Sequence, residues 1–342
     1  MMYWWLIPVV TSCSLMLTAV FRNYALARSI VDIPNARSSH LISTPRGGGV
    51  AIVITFLLVL SFLSWVELVD LPLLIAIGGA GGVVAIIGFM DDYNHIAVPW
   101  RLSAHFCAAV WSLFWLGGFP PIITFGFVVD PGWLGLILGA FYLVWMLNLY
   151  NFMDGIDGIA SIEAISVCSG ACLLYWLMGL EHLIWAPGML ALAVSGFLFW
   201  NFPKARIFMG DAGSGFLGLV FGIISIQAAW VAPQLLWAWL ILLGVFIVDA
   251  TFTLIRRLVR GDKFYEAHRS HVYQIASRRY GTHIAVSLAV GMINLVWLLP
   301  IALCVTYFRL DGVLALVVAY TPLLILAIKF QSDGIEKEPI CQ

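Results

Sequence analysis

Asn151, Asp154 and Asp157 close a long apolar run in the stretch NLYNFMDGIDGIA, an amide and two carboxylates three residues apart. If the helix that ends near Tyr150 continues for a turn or two, positions i, i+3 and i+6 fall along one stripe. Oxygens of this type at that spacing are hard ligands suited to Mg2+, and to Mn2+ as well. Such ions keep several waters and take their remaining ligands from one or two carboxylates and a substrate phosphate. A plainer reading is a pair of helix-capping aspartates beside Gly155 and Gly158, but capping accounts for one aspartate more readily than for three aligned oxygens.

Four further polar stretches carry chemistry-bearing residues. GFMDDYNH places Asp91 and Asp92 side by side. Adjacent carboxylates repel, so one is held protonated unless a cation compensates, and such a pair supplies a general base, holds a metal, or is a solvated loop pair. MGDAGSG puts Asp211 at the start of an apolar helix, where unpaired backbone N–H groups and the helix dipole attract phosphate. Asp211 equally suits a simple cap, and the glycine spacing fits no P-loop. In EAHRSHVYQ, His268 and His271 flank Arg269, a set that grips phosphate or meets anionic lipid headgroups. The first loop, with Arg37, His40 and Arg46 followed by Gly47 to Gly49, has the same two readings. Asp249 lies seven residues inside Arg256, about 10 Å along a helix. An ionisable group there marks function by default, the alternative being a pairing with a neighbouring span.

These stretches sit in a chain of 342 residues that is 62% hydrophobic and only 10% charged, with a mean hydropathy of +1.00. A soluble domain carries roughly 25% charged residues, so the protein is read as an integral membrane protein. At about 20 apolar residues per helix, the expected spans are 2–21, 49–66, 71–90, 102–119, 132–150, 160–179, 183–200, 213–230, 234–255, 284–307 and 312–330. The predicted fold is therefore an all-α polytopic membrane protein of about eleven transmembrane helices. It forms a single domain over residues 1–342. Alternating the loops puts all but one of the 17 Lys and Arg residues on one side, with Arg309 alone opposite. By the positive-inside rule that side is cytoplasmic, so the N-terminus is expected outside, in the periplasm, and the C-terminus inside. No cleaved signal peptide is expected, because no cationic segment precedes the first apolar run. The six cysteines show no metal or redox spacing and read as small core residues.

All the polar stretches then open or close a span on the cytoplasmic side, so an active site formed by cytoplasmic loops is expected. A transporter of a phosphorylated or anionic solute is the rival class. Transporters place ionisable groups near the midplane in broken helices of paired repeats, whereas here nearly all lie at cytosolic helix ends.

Taken in order, DIPNARSSH...TPRGGG, GFMDD, NFMDGIDG, FMGDAGS, FIVDATFTLIRR and AHRSHVYQ resemble the polyprenyl-phosphate N-acetylhexosamine-1-phosphate transferase superfamily, glycosyltransferase family 4. The resemblance runs from residue 32 to 274. It implies transfer of an N-acetylhexosamine-1-phosphate (GlcNAc, FucNAc or QuiNAc type) from a UDP-N-acetylhexosamine to undecaprenyl phosphate, with release of UMP. Carried over by position, Asn151 and Asp211 match magnesium ligands, and Asp91 and Asp92 match the pair assigned to the acceptor phosphate or to general-base work. Asp154 and Asp157 match nucleotide-side residues, and His268, Arg269 and His271 fall in the loop that meets the sugar diphosphate. His95 stands where a third carboxylate is common, and HRSH replaces three consecutive histidines. Both departures resemble the O-antigen and lipopolysaccharide branch. The implied setting is the bacterial inner membrane, with membrane lipids as neighbours, a homodimer compatible with the chain, and no nucleic-acid partner.

Overall fold

The computed structural model describes residues 3–32, 43–94, 96–262 and 269–335. Arg37, His40, His95 and His268 lie outside them. Helices account for 78% of the chain, because a lipid-facing backbone must satisfy its own hydrogen bonds. The first three helices are α1 (Leu6–Ala27), α2 (Gly49–Trp65) and α3 (Leu71–Tyr93). Next come α4 (Val98–Leu116), α5 (Gly132–Met153), α6 (Ile159–Leu177), α7 (Trp185–Asn201) and α8 (Asp211–Val231). The rest are α9 (Gln234–Leu242), α10 (Gly244–Arg260), α11 (Val272–Tyr280), α12 (His283–Ile293), α13 (Leu299–Thr306) and α14 (Gly312–Ile335).

Each expected span coincides with a helix or a broken helix. By length and apolarity, eight helices among the described residues can cross a membrane, or nine if a bent pair counts as one span. α2 is 17 residues long, and α4 carries Arg101 and His105 in its first turns. The expected span 234–255 is broken: α9 and α10 meet at 73°. Beyond the break α10 is amphipathic, burying Phe246, Val248, Asp249 and Thr253 while exposing Ile255, Leu258 and Val259. The expected span 284–307 joins α12 to α13 through a π-helical turn, Asn294–Leu298.

α8 is the central helix, enclosed on nearly every side and packed on α3 and α5, whereas α1 and α14 lie on the rim. Close approach comes from glycine. A Cβ on Gly88 of α3 would lie 2.5 Å from the Ala212 nitrogen, and one on Gly49 of α2 would lie 2.4 Å from Gly213 Cα. Backbone contact of this kind replaces the hydrophobic drive that helices lack in lipid. At the opposite end, the connection between α4 and α5 is not a plain loop but an antiparallel hairpin. It pairs β3 (Ile122–Thr124) with β4 (Phe127–Val129), while β1 (Val31–Asp32) and β2 (Thr44–Pro45) pair at the end that gathers the polar residues. Of the cysteines, Cys168 is buried, Cys107 is exposed and Cys13, Cys172 and Cys304 are half-buried. The core reading thus fails at Cys107, which faces outward on α4.

Candidate active site

Adjacent residues on a helix point about 100° apart, and the last turn of α3 uses this to send its two carboxylates in different directions. Asp91 turns toward α4, where Oδ2 lies 2.5 Å from Arg101 Nη1 and Oδ1 accepts the Ile96 N–H at 2.7 Å. Asp92 turns toward α8: Oδ1 accepts the Asp211 N–H at 3.1 Å and lies 3.1 Å from Arg46 Nε. The Asp92 side chain is only 1% exposed, and its Oδ2 is buried without a hydrogen-bond partner. Arg46 is held over the N-terminus of α8 by backbone pairing between two loops. Phe208 N–H donates to Pro45 O at 2.8 Å, Gly48 N–H to Phe208 O at 2.9 Å, and Gly49 N–H to Met209 O at 2.8 Å. Asp211, the first residue of α8, completes the cluster with Oδ1 3.5 Å from Arg46 Nη2 and Oδ2 4.0 Å from Arg101 Nη1. Two guanidinium groups therefore share three carboxylates. Gly210 makes the turn possible with φ +75°, and a Cβ there would strike Asp92 Oδ2 at 2.4 Å.

α5 brings the next members. It continues helically through Asn151 to Met153, as the i, i+3 reading requires, and ends before Asp154. Asn151 donates Nδ2 to Ser214 Oγ of α8 at 3.0 Å, a bond that does not use its side-chain carbonyl oxygen. Asp154 stands at the C-cap, so the three oxygens do not form one straight stripe. Burial pushes the Asp154 carboxyl up to about 7, with Arg46 opposing and the carboxylates of Asp211 and Asp157 adding to the rise. Asp157 is turned aside: Oδ1 lies 3.2 Å from His283 Nδ1, and Oδ2 accepts the Ala205 N–H at 3.0 Å.

Asp249 and His271 form a second polar group. Asp249 is buried on α10 and receives the first N–H groups of α11, Val272 N at 2.9 Å and Tyr273 N at 3.0 Å, together with His271 Nδ1 at 3.2 Å. It thus caps α11 at its dipole-positive end, as carboxylates do. His271 lies between the rings of Phe152 and Tyr273, and Tyr273 Oη donates to Phe152 O at 3.0 Å. The group therefore borders the α5 loop through its backbone. The Arg269 carbonyl accepts from Arg278 at 3.0 Å.

Sequence reasoning missed Arg101, His105, Glu163 and His283. Arg101 had a signal, being the cation nearest the aspartate pair along the chain. Glu163 is fully buried on α6, accepting from Asn294 Nδ2 at 2.7 Å.

The metal reading can be tested against these residues. No group of three or more His, Cys, Asp or Glu side chains among the described residues could hold a metal ion. Magnesium asks for less from protein. Asn151 and Asp211 line one small cavity together with Arg101, His105 and Asn148, and Asp92 holds an orphaned oxygen beside Asp211. Two hard oxygens and an unsatisfied carboxylate fit a divalent ion that completes its shell with water and phosphate.

An all-helical membrane bundle with a carboxylate–arginine cluster at one end defines a class of membrane enzyme. The sequence profile of glycosyl transferase family 4 matches residues 73–229, from α3 to the end of α8. A probable undecaprenyl-phosphate N-acetylglucosaminyl 1-phosphate transferase of Bacillus subtilis is 30% identical over 276 residues, covering 76% of this chain and 73% of its own. An undecaprenyl-phosphate alpha-N-acetylglucosaminyl 1-phosphate transferase of Thermotoga maritima is 28% identical, covering 78% and 80%. A decaprenyl-phosphate N-acetylglucosaminephosphotransferase of Mycolicibacterium smegmatis is 29% identical, covering 81% and 76%. The chain belongs to glycosyl transferase family 4, within the polyprenyl-phosphate N-acetylhexosamine-1-phosphate transferase superfamily. It is a glycosyl-1-phosphate transferase.

Proposed function

We propose that the chain transfers N-acetylhexosamine-1-phosphate from a UDP-N-acetylhexosamine to undecaprenyl phosphate, releasing UMP, at the cytoplasmic face of the bacterial inner membrane. The product would start an O-antigen or related envelope glycan. One observation carries the reading: Arg46, Arg101, Asp91, Asp92, Asp211 and Asn151 converge at one end of an apolar bundle. Two anionic substrates, one of them a lipid, meet best at such a place.

The reaction forms a bond from an acceptor phosphate oxygen to the β-phosphorus of the donor and breaks the anhydride bond to UMP. Asn151 and Asp211 would hold Mg2+ or Mn2+, which supplies charge compensation for the phosphates when bound. Arg46 and Arg101 offer fork-shaped donors to phosphate oxygens, and here Asp92 and Asp91 hold them in place. The acceptor phosphate is already mostly ionised near neutral pH, with a second pKa of about 6. Asp92, whose Oδ2 has no partner, is therefore suited to take a last proton or to orient the attacking oxygen. Asp154 is assigned to the nucleotide side. Arg269 and His271 are assigned to the sugar diphosphate, with Asp249 holding His271 in position.

Two measurements test this. Mass spectrometry of the lipid product from a panel of UDP-N-acetylhexosamines identifies donor and acceptor, and failure to form any sugar-diphosphate lipid overturns the reading. Asp211→Asn in purified protein is expected to lower UMP release by about a hundredfold or more. It should also remove stabilisation of the protein by Mg2+ in a thermal melt. Near-native values for both would make the metal assignment wrong.

A further inference from the structure

One face of α12 is polar in an otherwise apolar helix. His283, Ser287, Gly291 and Asn294 follow at spacings of four, four and three, so they share a stripe. That stripe runs alongside the chain from Asp157 into α6. His283 Nδ1 lies 3.2 Å from Asp157 Oδ1 and accepts the Asp157 N–H at 3.4 Å, and Ser287 Oγ donates to the Asp157 carbonyl at 2.7 Å. Gly291 lets Ile162 approach, since a Cβ there would meet it at 2.9 Å. Asn294 Nδ2 donates to Glu163 Oε2 and Ser166 Oγ, each at 2.7 Å. Each contact joins one register of α12 to one register of the segment that follows the catalytic loop.

The loop itself needs such support. Between α5 and α6 it runs through Gly155 and Gly158, and besides the two bonds from α12 to the Asp157 backbone it is tied by Gly158 N–H to Asn201 Oδ1 at 2.9 Å. Asp157 is the one loop side chain with both oxygens committed, to His283 and to the Ala205 N–H. Asn151 and Asp154 lie just ahead of it on the same short segment.

We propose that His283 is a positioning residue of the transferase site: through Asp157 it fixes the α5–α6 loop, and with it Asp154 and Asn151, in one register. The inference rests on the reading of that loop as catalytic. α12 acts as a splint, with Asn294 and Glu163 holding its far end and His283 its near end. Asp157 then acts through the loop geometry, since its carboxylate is already taken.

The test compares His283→Ala, His283→Asn, Asp157→Asn and the double variant of His283→Ala with Asp157→Asn. Asparagine places an amide close to where imidazole Nδ1 sits, able to accept the Asp157 N–H or to donate to Asp157 Oδ1. His283→Ala is expected to lower kcat for UMP release about tenfold or more while leaving KM for the lipid acceptor within about twofold, with His283→Asn recovering most of the loss. The double variant is expected to be no worse than the poorer single variant, because the two residues act as one unit. By hydrogen exchange, peptides covering 152–160 should exchange faster in His283→Ala, and those within α8 should not. Native kcat together with native exchange in His283→Ala would overturn the proposal. So would a kcat loss without faster exchange, which would put His283 on the substrate, or equal loss in the Ala and Asn variants. If the wild-type protein releases no UMP, the functional reading fails by itself, and the exchange comparison still decides whether His283 holds the loop.

Discussion

Asp154 is a residue whose environment sets a pH dependence. Its carboxyl moves from 3.8 to about 7, first through burial. A raised folded-state pKa means that the folded protein binds this proton more tightly than the unfolded chain does. The associated stability is fully present below about 4 and is lost as pH rises through about 7. In metal-free protein in detergent, the melting temperature should therefore fall between about pH 4 and 7 and level off above. Asp154→Asn, neutral throughout, should lose this part of the slope and melt higher than wild type above pH 7. Parallel melting curves for the two proteins would refute the assignment. Arg46 and Arg101 each sit between two other carboxylates, and at Asp92 burial and the neighbouring Asp211 outweigh Arg46 and push the carboxyl up to about 7. Breaking a shielded pair by removing one partner leaves a buried charge uncompensated, which costs more than the pair contributes.

The elements carry the geometry through contacts too close for any side chain. Gly88 on α3 faces the first peptides of α8, and an added Cβ would lie 2.5 to 2.6 Å from the Ala212 nitrogen and the Asp211 carbonyl. Backbone cannot give way like a flexible side chain, so α3 must shift outward. Gly88→Ala should cost about 1–3 kcal/mol of stability and stretch the hydrogen bond from Asp211 N–H to Asp92. Gly82→Ala, on the same helix with nothing within 4 Å, should stay within about 1 kcal/mol of wild type. Equal melting temperatures for Gly88→Ala and Gly82→Ala would show that α3 and α8 do not meet as described. The helices themselves were legible as apolar runs of bilayer length, and the ends of α3, α5 and α8 were legible as places where carboxylates gather. The 73° turn between α9 and α10 was not, because the apolar run continues unbroken across Leu243 and Gly244. Nor were the partners of Asp157, since His283 lies 126 residues further along and only packing brings it near. Asp249 was legible as an odd buried charge, but its work as a cap for α11 required knowing that α11 begins beside it.

For the whole molecule, the charge pattern and the fold make one joint statement about orientation. The clustered carboxylates, Arg46, Arg101 and the Lys204–Arg206 loop gather at one end of the bundle, while the β3–β4 hairpin forms part of the other. That hairpin exposes Phe125, Phe127, Val128 and Val129, and Trp237 donates to its Ile123 carbonyl at 2.8 Å. Exposed aromatic and aliphatic side chains at a helix-bundle end suit the membrane–water interface. By the positive-inside rule the arginine-rich end is expected on the cytoplasmic side, where anionic lipid would attract each nearby cation by about 1 kcal/mol. In a protein cleared of its native cysteines, a single cysteine replacing Phe125 should react with a membrane-impermeant maleimide added to spheroplasts. One replacing Lys204 should react only after the membrane is opened. The reverse pattern would turn the molecule over, placing the carboxylate–arginine cluster outside and away from any cytosolic nucleotide sugar. Reaction at both positions in sealed spheroplasts would show a mixed insertion that the charge pattern does not allow.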